Sequence, residues 1–240
     1  MSPPACSRWR SATSCSKLLP TMDWLLFQLA DSCFPTGGFA HSGGLEAAAQ
    51  LGELSDEKTL RELVTDAMWQ AGYGALPLVG AAHLLPARWA ELDALSDAFI
   101  LGEVQNRASR TQGRAFLATC VRSFTEPALA ELQRTGQIAR LCLHYAPLVG
   151  VTLASLGITR AATLRWFLFT TLRGQLSAAV RLGLTGPYAA QGLQRSLVPL
   201  LEQILTQCVE VAPEQITQTA PLLDLIQASH DRLYSRLFVS

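Results

Sequence analysis

The stretch SDEKTLRELVTDAMWQA, Ser55 to Ala71, decides the fold. Its apolar members Leu60, Leu63, Val64, Ala67, Met68 and Ala71 recur at i, i+3, i+4 spacing, which puts them on one face of an α-helix. Ser55 is placed to cap that helix. Asp56 and Glu57 add negative charge to its first turn, where the helix dipole is positive. Working outward, the same period predicts helices over Asp23–Cys33 and from Leu45 to Leu51 on the N-terminal side. On the C-terminal side it predicts one long helix or two abutting ones over Trp89–Phe124, and a helix from Pro127 to His144. Further helices are predicted over Pro147–Leu156, Ala161–Leu182, Pro187–Val209 and Pro213–Phe238, several opened by a first-turn proline. No run of alternating β-branched residues and no Asn-Gly hairpin signal interrupts them. The expected fold class is all-α: a single-domain helical bundle of about eight to ten helices over residues 22–240.

Two stretches lack formal charge for about twenty residues, Ala67–Ala87 and Leu141–Thr159, a length that could span a bilayer. Each contains an internal proline, several glycines and a histidine, so buried central helices of a bundle are the expectation. The chain has 240 residues, 49% of them apolar and only 16% charged, with no net charge. That balance fits a protein with much buried surface or one that covers part of its surface with partners. Only Lys17 and Lys58 are lysines among the nineteen basic residues. The rest are arginines, which suit fixed, partly desolvated contacts with carboxylates. Nucleic acid is not an expected partner, because the chain from Met22 carries sixteen basic against nineteen acidic residues and few aromatics lie among the arginines.

Residues 1–21 differ in kind, with Arg8, Arg10, Lys17, five serines and no acid. This composition resembles an organelle transit peptide, and the plainer reading is a disordered extension or an upstream start codon; each sets it outside the fold. Six cysteines (Cys6, Cys15, Cys33, Cys120, Cys142, Cys208) show no CxxC, and four sit in apolar helical context, which points to free thiols in a reduced, cytoplasmic setting.

Between the first two helices lies FPTGGFAHSGGLE, Phe34 to Glu46. Pro35 stops the preceding helix, and Gly37, Gly38, Gly43 and Gly44 permit a tight path past Phe39 into the next helix. The segment is not a phosphate loop: no strand precedes it, and at Lys58-Thr59 the required glycine is Glu57. It is not a nucleophile elbow, since no GxSxG occurs. The four histidines, His41, His83, His144 and His230, are isolated, with no HxxxH or HExxH, so no dedicated metal site is expected. His83 and His144 read as satisfied core residues in apolar helices. His41 and Glu46 stay candidates for transient nickel or metal contact.

Arg107, Arg110 and Arg114 fall on one helical face with Glu103 a turn earlier. They read either as an ordinary solvated face or as a binding face for an acidic partner or an anion. The C-terminal HDRLYSRLFVS concentrates His230, Arg232, Tyr234, Arg236, Leu237 and Phe238 where chain ends normally fray, which predicts docking into the body or onto another chain, with Tyr and Arg favouring a partner.

In order along the chain, LLFQLADSCFPTGGFAHSGGLE, NRASRTQGRAF, AAVRLGLTG and SHDRLYSRLF resemble the signature segments of the urease accessory protein F family. Gly43 stands where that family often has a larger polar residue, and His41 where Tyr also occurs. The resemblance implies an all-helical, non-enzymatic chaperone without catalytic or cofactor-binding residues. It implies a homodimer that binds urease accessory protein D (H in some organisms) and recruits the nickel-carrying accessory GTPase, so that nickel reaches apo-urease. Modulation of GTP hydrolysis and part of an internal nickel path are implied with it. Tyr234, Ser235, Arg236, Leu237 and Phe238 match the motif that orders against accessory protein D. Arg107, Arg110 and Arg114 are expected to face a partner or a second subunit. Two alternatives remain at this stage: a small helical enzyme using Cys33, His41 and Ser42, and a helical binding protein with another client.

Overall fold

The decisive stretch forms its helix one residue later than the sequence suggests. In the computed structural model, which describes residues 21–240, Asp56 and not Ser55 is the N-cap. The Asp56 carboxylate accepts the Thr59 N–H (2.8 Å) while Thr59 Oγ1 accepts the Asp56 N–H (3.2 Å). Only the residue three positions before Thr59 can close this reciprocal box, so the cap passes to Asp56. The leader reading of residues 1–21 lies outside the described residues, apart from Thr21, which opens the first helix.

The chain runs through α1 (Thr21–Ala30), α2 (Leu45–Gln50), α3 (Glu57–Gln70), α4 (Leu76–Leu84), α5 (Trp89–Phe99) and α6 (Glu103–Ser123). It continues through α7 (Pro127–Ile138), α8 (Tyr145–Ser155), α9 (Arg160–Arg181), α10 (Pro187–Ser196), α11 (Val198–Cys208) and α12 (Pro221–Ala228). Among the described residues there is no strand, and the all-α class holds.

Several boundaries differ from the periodic reading, each for a local reason. The Trp89–Phe124 stretch breaks at Ile100–Gly102, and Pro199, which has no N–H to give, separates α10 from α11. The helix expected to reach His144 stops at Ile138, because Arg140 and Leu143 turn to positive φ (50° and 65°). His144 is therefore the N-cap of α8 and not the last residue of the helix before it. The Pro213–Phe238 segment is helical only in α12 and in the 3-10 turns Pro213–Gln215 and Ser229–Arg232; beyond them the backbone bonds to the body of the protein.

The two uncharged stretches become α4 and α8, which pack together beside α9 in the interior. Leu76, Val79, Val149, Leu153, Leu164, Phe167, Leu168 and Leu172 share one apolar cluster there. Among the described residues no helix is long and apolar enough to cross a membrane. That cluster extends from Leu29 in α1 to Phe238 near the last residue, so the chain end is part of the core. A wide π-turn over Ala71–Ala75 joins α3 to α4 and opens space beside it, as such turns often do where a site is formed.

Candidate functional site: the glycine turn and the docked tail

The two segments that the sequence marks separately, Phe34–Glu46 and the C-terminal HDRLYSRLFVS, form one structure. The turn starts as a tight bend in which Gly37, Gly43 and Gly44 take positive φ (80°, 61° and 93°), conformations that side chains with a Cβ resist. Gly38 instead opens a short 3-10 turn. Thr119 of α6 anchors the start of the bend by donating to the Pro35 carbonyl (2.8 Å). The tail then lies along it: the Val239 N–H donates to the Ala40 carbonyl (2.8 Å) and the Ser42 N–H to the Ser240 carbonyl (2.6 Å).

Side chains lock this pairing. Glu46, in the first turn of α2, accepts the Leu237 N–H (2.5 Å) on one oxygen. The other oxygen accepts the Phe238 N–H (3.1 Å) and His230 Nε2–H (2.9 Å). His230 and Glu46 are both sealed from solvent. Burial pushes the Glu46 carboxyl up, but the Leu237 N–H, then His230 and the Phe238 N–H overcome it and hold its pKa below the ordinary 4.5. Arg181, at the end of α9, places its guanidinium between two rings, 3.6 Å from the Phe39 centroid and 4.1 Å from that of Phe238, and donates to the Phe39 carbonyl. Each contact of this kind contributes on the order of 1 kcal/mol.

His41 and Ser42 are both committed to the last residue: His41 Nδ1 pairs with the Ser240 hydroxyl (2.5 Å), and the Ser42 hydroxyl donates to the Ser240 carbonyl (3.3 Å). Burial first, then the charges of Arg107 and His230, lower the His41 pKa below 6.5. Cys33 is exposed rather than packed in a helix, and its N–H donates to Asp31. The trio thus makes no nucleophile–base hydrogen bond, which removes the geometric support for an enzyme built on Cys33, His41 and Ser42.

The predicted partner residues divide into inward and outward sets. Phe238 is buried, whereas Tyr234 is fully exposed and Leu237 and Val239 are 56% and 61% exposed. Ser235 and Arg236 lie on the same exposed stretch; the Ser235 carbonyl accepts from Gln50 (2.8 Å), and Arg236 approaches Asp231 (3.5 Å). Arg107 holds Asp231 with bonds of 2.8 and 2.9 Å to its two oxygens, tying α6 to the tail. Arg110 and Arg114 line a surface hollow with Asp97, Glu103 and Asn106.

Beneath the turn is a cavity of about 310 Å³ lined in part by His41, Gln70, Gln105, His144, Gln175 and Asp224. Four buried polar atoms in its lining residues have no protein partner: His41 Nε2, Gln105 Oε1, Gln175 Oε1 and Asp224 Oδ2. Burial raises the Asp224 pKa above its ordinary value, opposed by Gln70 and Gln105. Buried polar atoms of this sort normally find a partner, so the cavity suits water or a polar solute.

Sequence reasoning missed Gln175, Gln105, Asp224 and the role of Arg181, which is one of four arginines along α9 and carries no signal of its own. It also missed that Asp97, Cys142 and His144 come together, because Cys142 and His144 lie 45 and more positions after Asp97 in an unrelated segment. Cys142 is half-buried in a loop, and among the described residues Cys120 and Cys208 alone are the buried helical thiols expected. His144 is satisfied, by Ser109 on Nδ1 (3.1 Å) and Asp97 on Nε2 (3.0 Å), whereas His83 is only half-buried and half-satisfied: its Nε2 donates to the Ile158 carbonyl (2.7 Å) and its Nδ1 has no protein partner.

The sequence model of the UreF family matches residues 54–198. The chain is similar to urease accessory protein F of Oryza sativa subsp. indica, 37% identical over 240 residues covering 98% of this chain and 92% of that protein. It is similar to urease accessory protein F of Arabidopsis thaliana, 36% identical over 229 residues, covering 94% and 95% of the two chains. Urease accessory protein UreF of Mycolicibacterium vanbaalenii is 33% identical over 218 residues, covering 90% and 97%. With its helical architecture and these full-length similarities, the chain belongs to the urease accessory protein F family.

Proposed function

We propose that the chain is a non-enzymatic scaffold and chaperone of urease maturation. It binds urease accessory protein D/H, recruits the nickel-carrying accessory GTPase, and so brings nickel to apo-urease. The observation that carries this reading is the docked tail. The buried Glu46–His230 pair and the Phe238 anchor hold a segment whose Tyr234, Leu237 and Val239 face outward, at the chain end where apolar side chains would otherwise cost solubility. A rigid strap bearing exposed Tyr and Leu is a surface already ordered for a partner, which lowers the entropy cost of binding.

The exposed apolar residues Trp24, Phe27 and Tyr188 offer further area for a homodimer. The cationic hollow of Arg110 and Arg114 suits an acidic segment of a partner or of the second subunit. His41, which lines the cavity, and the polar atoms around it are candidates for a stretch of an internal nickel path, whereas the Glu46 carboxylate is taken up by the tail. Its place of action in this reading is the cytoplasm, and its effect on GTP hydrolysis is exerted through the recruited GTPase.

Co-expression with accessory protein D/H and the GTPase tests the proposal. One complex should elute, and adding it with nickel and GTP to apo-urease should restore urease activity. Separate elution of the three chains, or equal activation without this chain, would refute the scaffold reading.

A further inference from the structure

Asp97, Cys142 and His144 present a carboxylate oxygen, a thiol sulfur and an imidazole nitrogen within 4.8 Å of one another. The sequence gives no hint of the cluster, because α5 supplies the first residue and the loop before α8 the other two.

What makes the cluster more than a chance encounter is how the loop is held. Asp93 lies one turn before Asp97 on α5 and is buried. Its two carboxylate oxygens each accept one backbone N–H, from Cys142 and from His144, both at 2.7 Å. Between these residues Leu143 takes a φ of 65°, unusual for a side chain of its size, and strain of this kind persists only where the surroundings fix it. Gly113 of α6 fixes it from the other side: a Cβ there would collide with the Leu143 carbonyl oxygen. The backbone thus sets Cys142 and His144 on the same side as Asp97 without help from their own side chains.

The side chains are oriented in turn. Ser109 Oγ accepts the Tyr145 N–H (3.2 Å), so its hydroxyl can donate to His144 Nδ1. His144 Nε2 then points at Asp97 Oδ1, 3.0 Å away. Asn106 donates to the same Asp97 oxygen (3.0 Å) and so fixes the carboxylate. Asp97 lines the surface hollow and His144 lines the cavity beside the glycine turn, so the cluster stands where the two adjoin, at Ile100 and Leu101. Solvent reaches it at Asp97 and at the half-buried Cys142.

We propose that Asp97, Cys142 and His144 form a three-ligand site for a borderline-soft divalent ion of the first transition row, with a fourth position open. Mixed N, S and O donors select ions such as Zn²⁺, Co²⁺ or Ni²⁺ over Mg²⁺ and Ca²⁺. Ligand atoms bound at about 2.0–2.3 Å in a tetrahedron lie about 3.5 Å apart, a closure within reach of rotating the Cys142 side chain. On binding, the ion takes the place of the proton on His144 Nε2, which moves to Nδ1 and donates to Ser109 Oγ. The Cys142 thiol releases its proton to solvent, leaving donors of charge −2 around a 2+ ion. Asp93, Ser109 and Asn106 are positioning residues that hold the ligands from behind. The site rests on this geometry alone and stands whether or not the chain assembles with urease maturation partners.

The test is Co²⁺ titration of the full-length chain carrying Cys6→Ser, Cys15→Ser and Cys33→Ser, which leaves Cys142 as the accessible thiol. One Co²⁺ per chain should bind with a thiolate-to-cobalt charge-transfer band in the near ultraviolet. Zn²⁺ should displace it and Mg²⁺ should not. Adding Cys142→Ser should abolish the band and weaken binding by more than the roughly 10–100-fold that loss of an outer-shell partner costs. Adding Asp97→Asn should weaken binding and keep the band, with helical content unchanged in both variants. Absence of the band with cobalt in large excess, its survival in Cys142→Ser, or unchanged affinity in Asp97→Asn would overturn the assignment.

Discussion

His230 Nε2 donates to Glu46 Oε2 across 2.9 Å, joining the last segment of the chain to the first turn of α2, and both residues are sealed from solvent. The glycine turn and the tail are therefore one element in the folded protein, although the paired side chains are 184 positions apart in the chain.

Glu46→Gln keeps the size of the side chain but replaces one acceptor oxygen by a donor facing tail N–H groups and His230. Breaking a buried pair and leaving such groups unsatisfied costs about 3 kcal/mol. Amide hydrogen exchange should speed up at Leu237, Phe238 and Val239 while α4, α8 and α9 stay protected. Unchanged protection at these three amides would show that Glu46 does not hold the tail.

Arg181→Ala removes the cation between Phe39 and Phe238 and should loosen the tail by about 1–2 kcal/mol. Arg181→Lys should recover only part of this, because an ammonium cannot lie flat between two rings. Urea denaturation of the three proteins measures the order, and equal midpoints would contradict it.

The pH dependence follows from His41. Its folded-state pKa is lowered, so the undocked or unfolded chain binds the proton more readily. The contribution of neutral His41 is complete above pH about 6.5 and is lost progressively as pH falls from there towards the lowered value. The thermal midpoint should accordingly drop between about pH 7 and pH 5.5, and less so in His41→Gln. An identical slope in the variant would assign the effect to another group.

Gly113→Ala should be among the most damaging substitutions on α6. The added methyl meets a backbone carbonyl in a loop already pinned by Asp93, so neither side can give way cheaply. A loss of about 3 kcal/mol in urea denaturation is expected, and a wild-type midpoint would contradict the close packing of α6 on this loop.

Helix class and the burial of both uncharged stretches were legible in the sequence because the 3.6-residue period and internal Pro and Gly act locally. The Phe34–Glu46 turn and the tail were legible as special segments, but not as partners, since nothing in Glu46 or His230 alone encodes a contact across the chain. The loop at residues 139–144 was misread as helix because its geometry is imposed from outside, by Asp93 and by α6 at Gly113. For the same reason the approach of Cys142 and His144 to Asp97 had no signature in spacing. The arginine series was half legible: Arg107 pairs within the chain with Asp231, and Arg110 and Arg114 line the hollow.

The outward face of the docked tail is the central claim, and point variants test it better than truncation, which would strip Glu46 of its buried partners. The direct measurement is co-elution of the chain with accessory protein D/H in size-exclusion chromatography, for the wild type and for a Tyr234→Ala, Leu237→Asp double variant. Both side chains are exposed, so the variant should keep its helical content. The account predicts one complex for the wild type and separate peaks for the folded variant. Undiminished co-elution of the variant would contradict it.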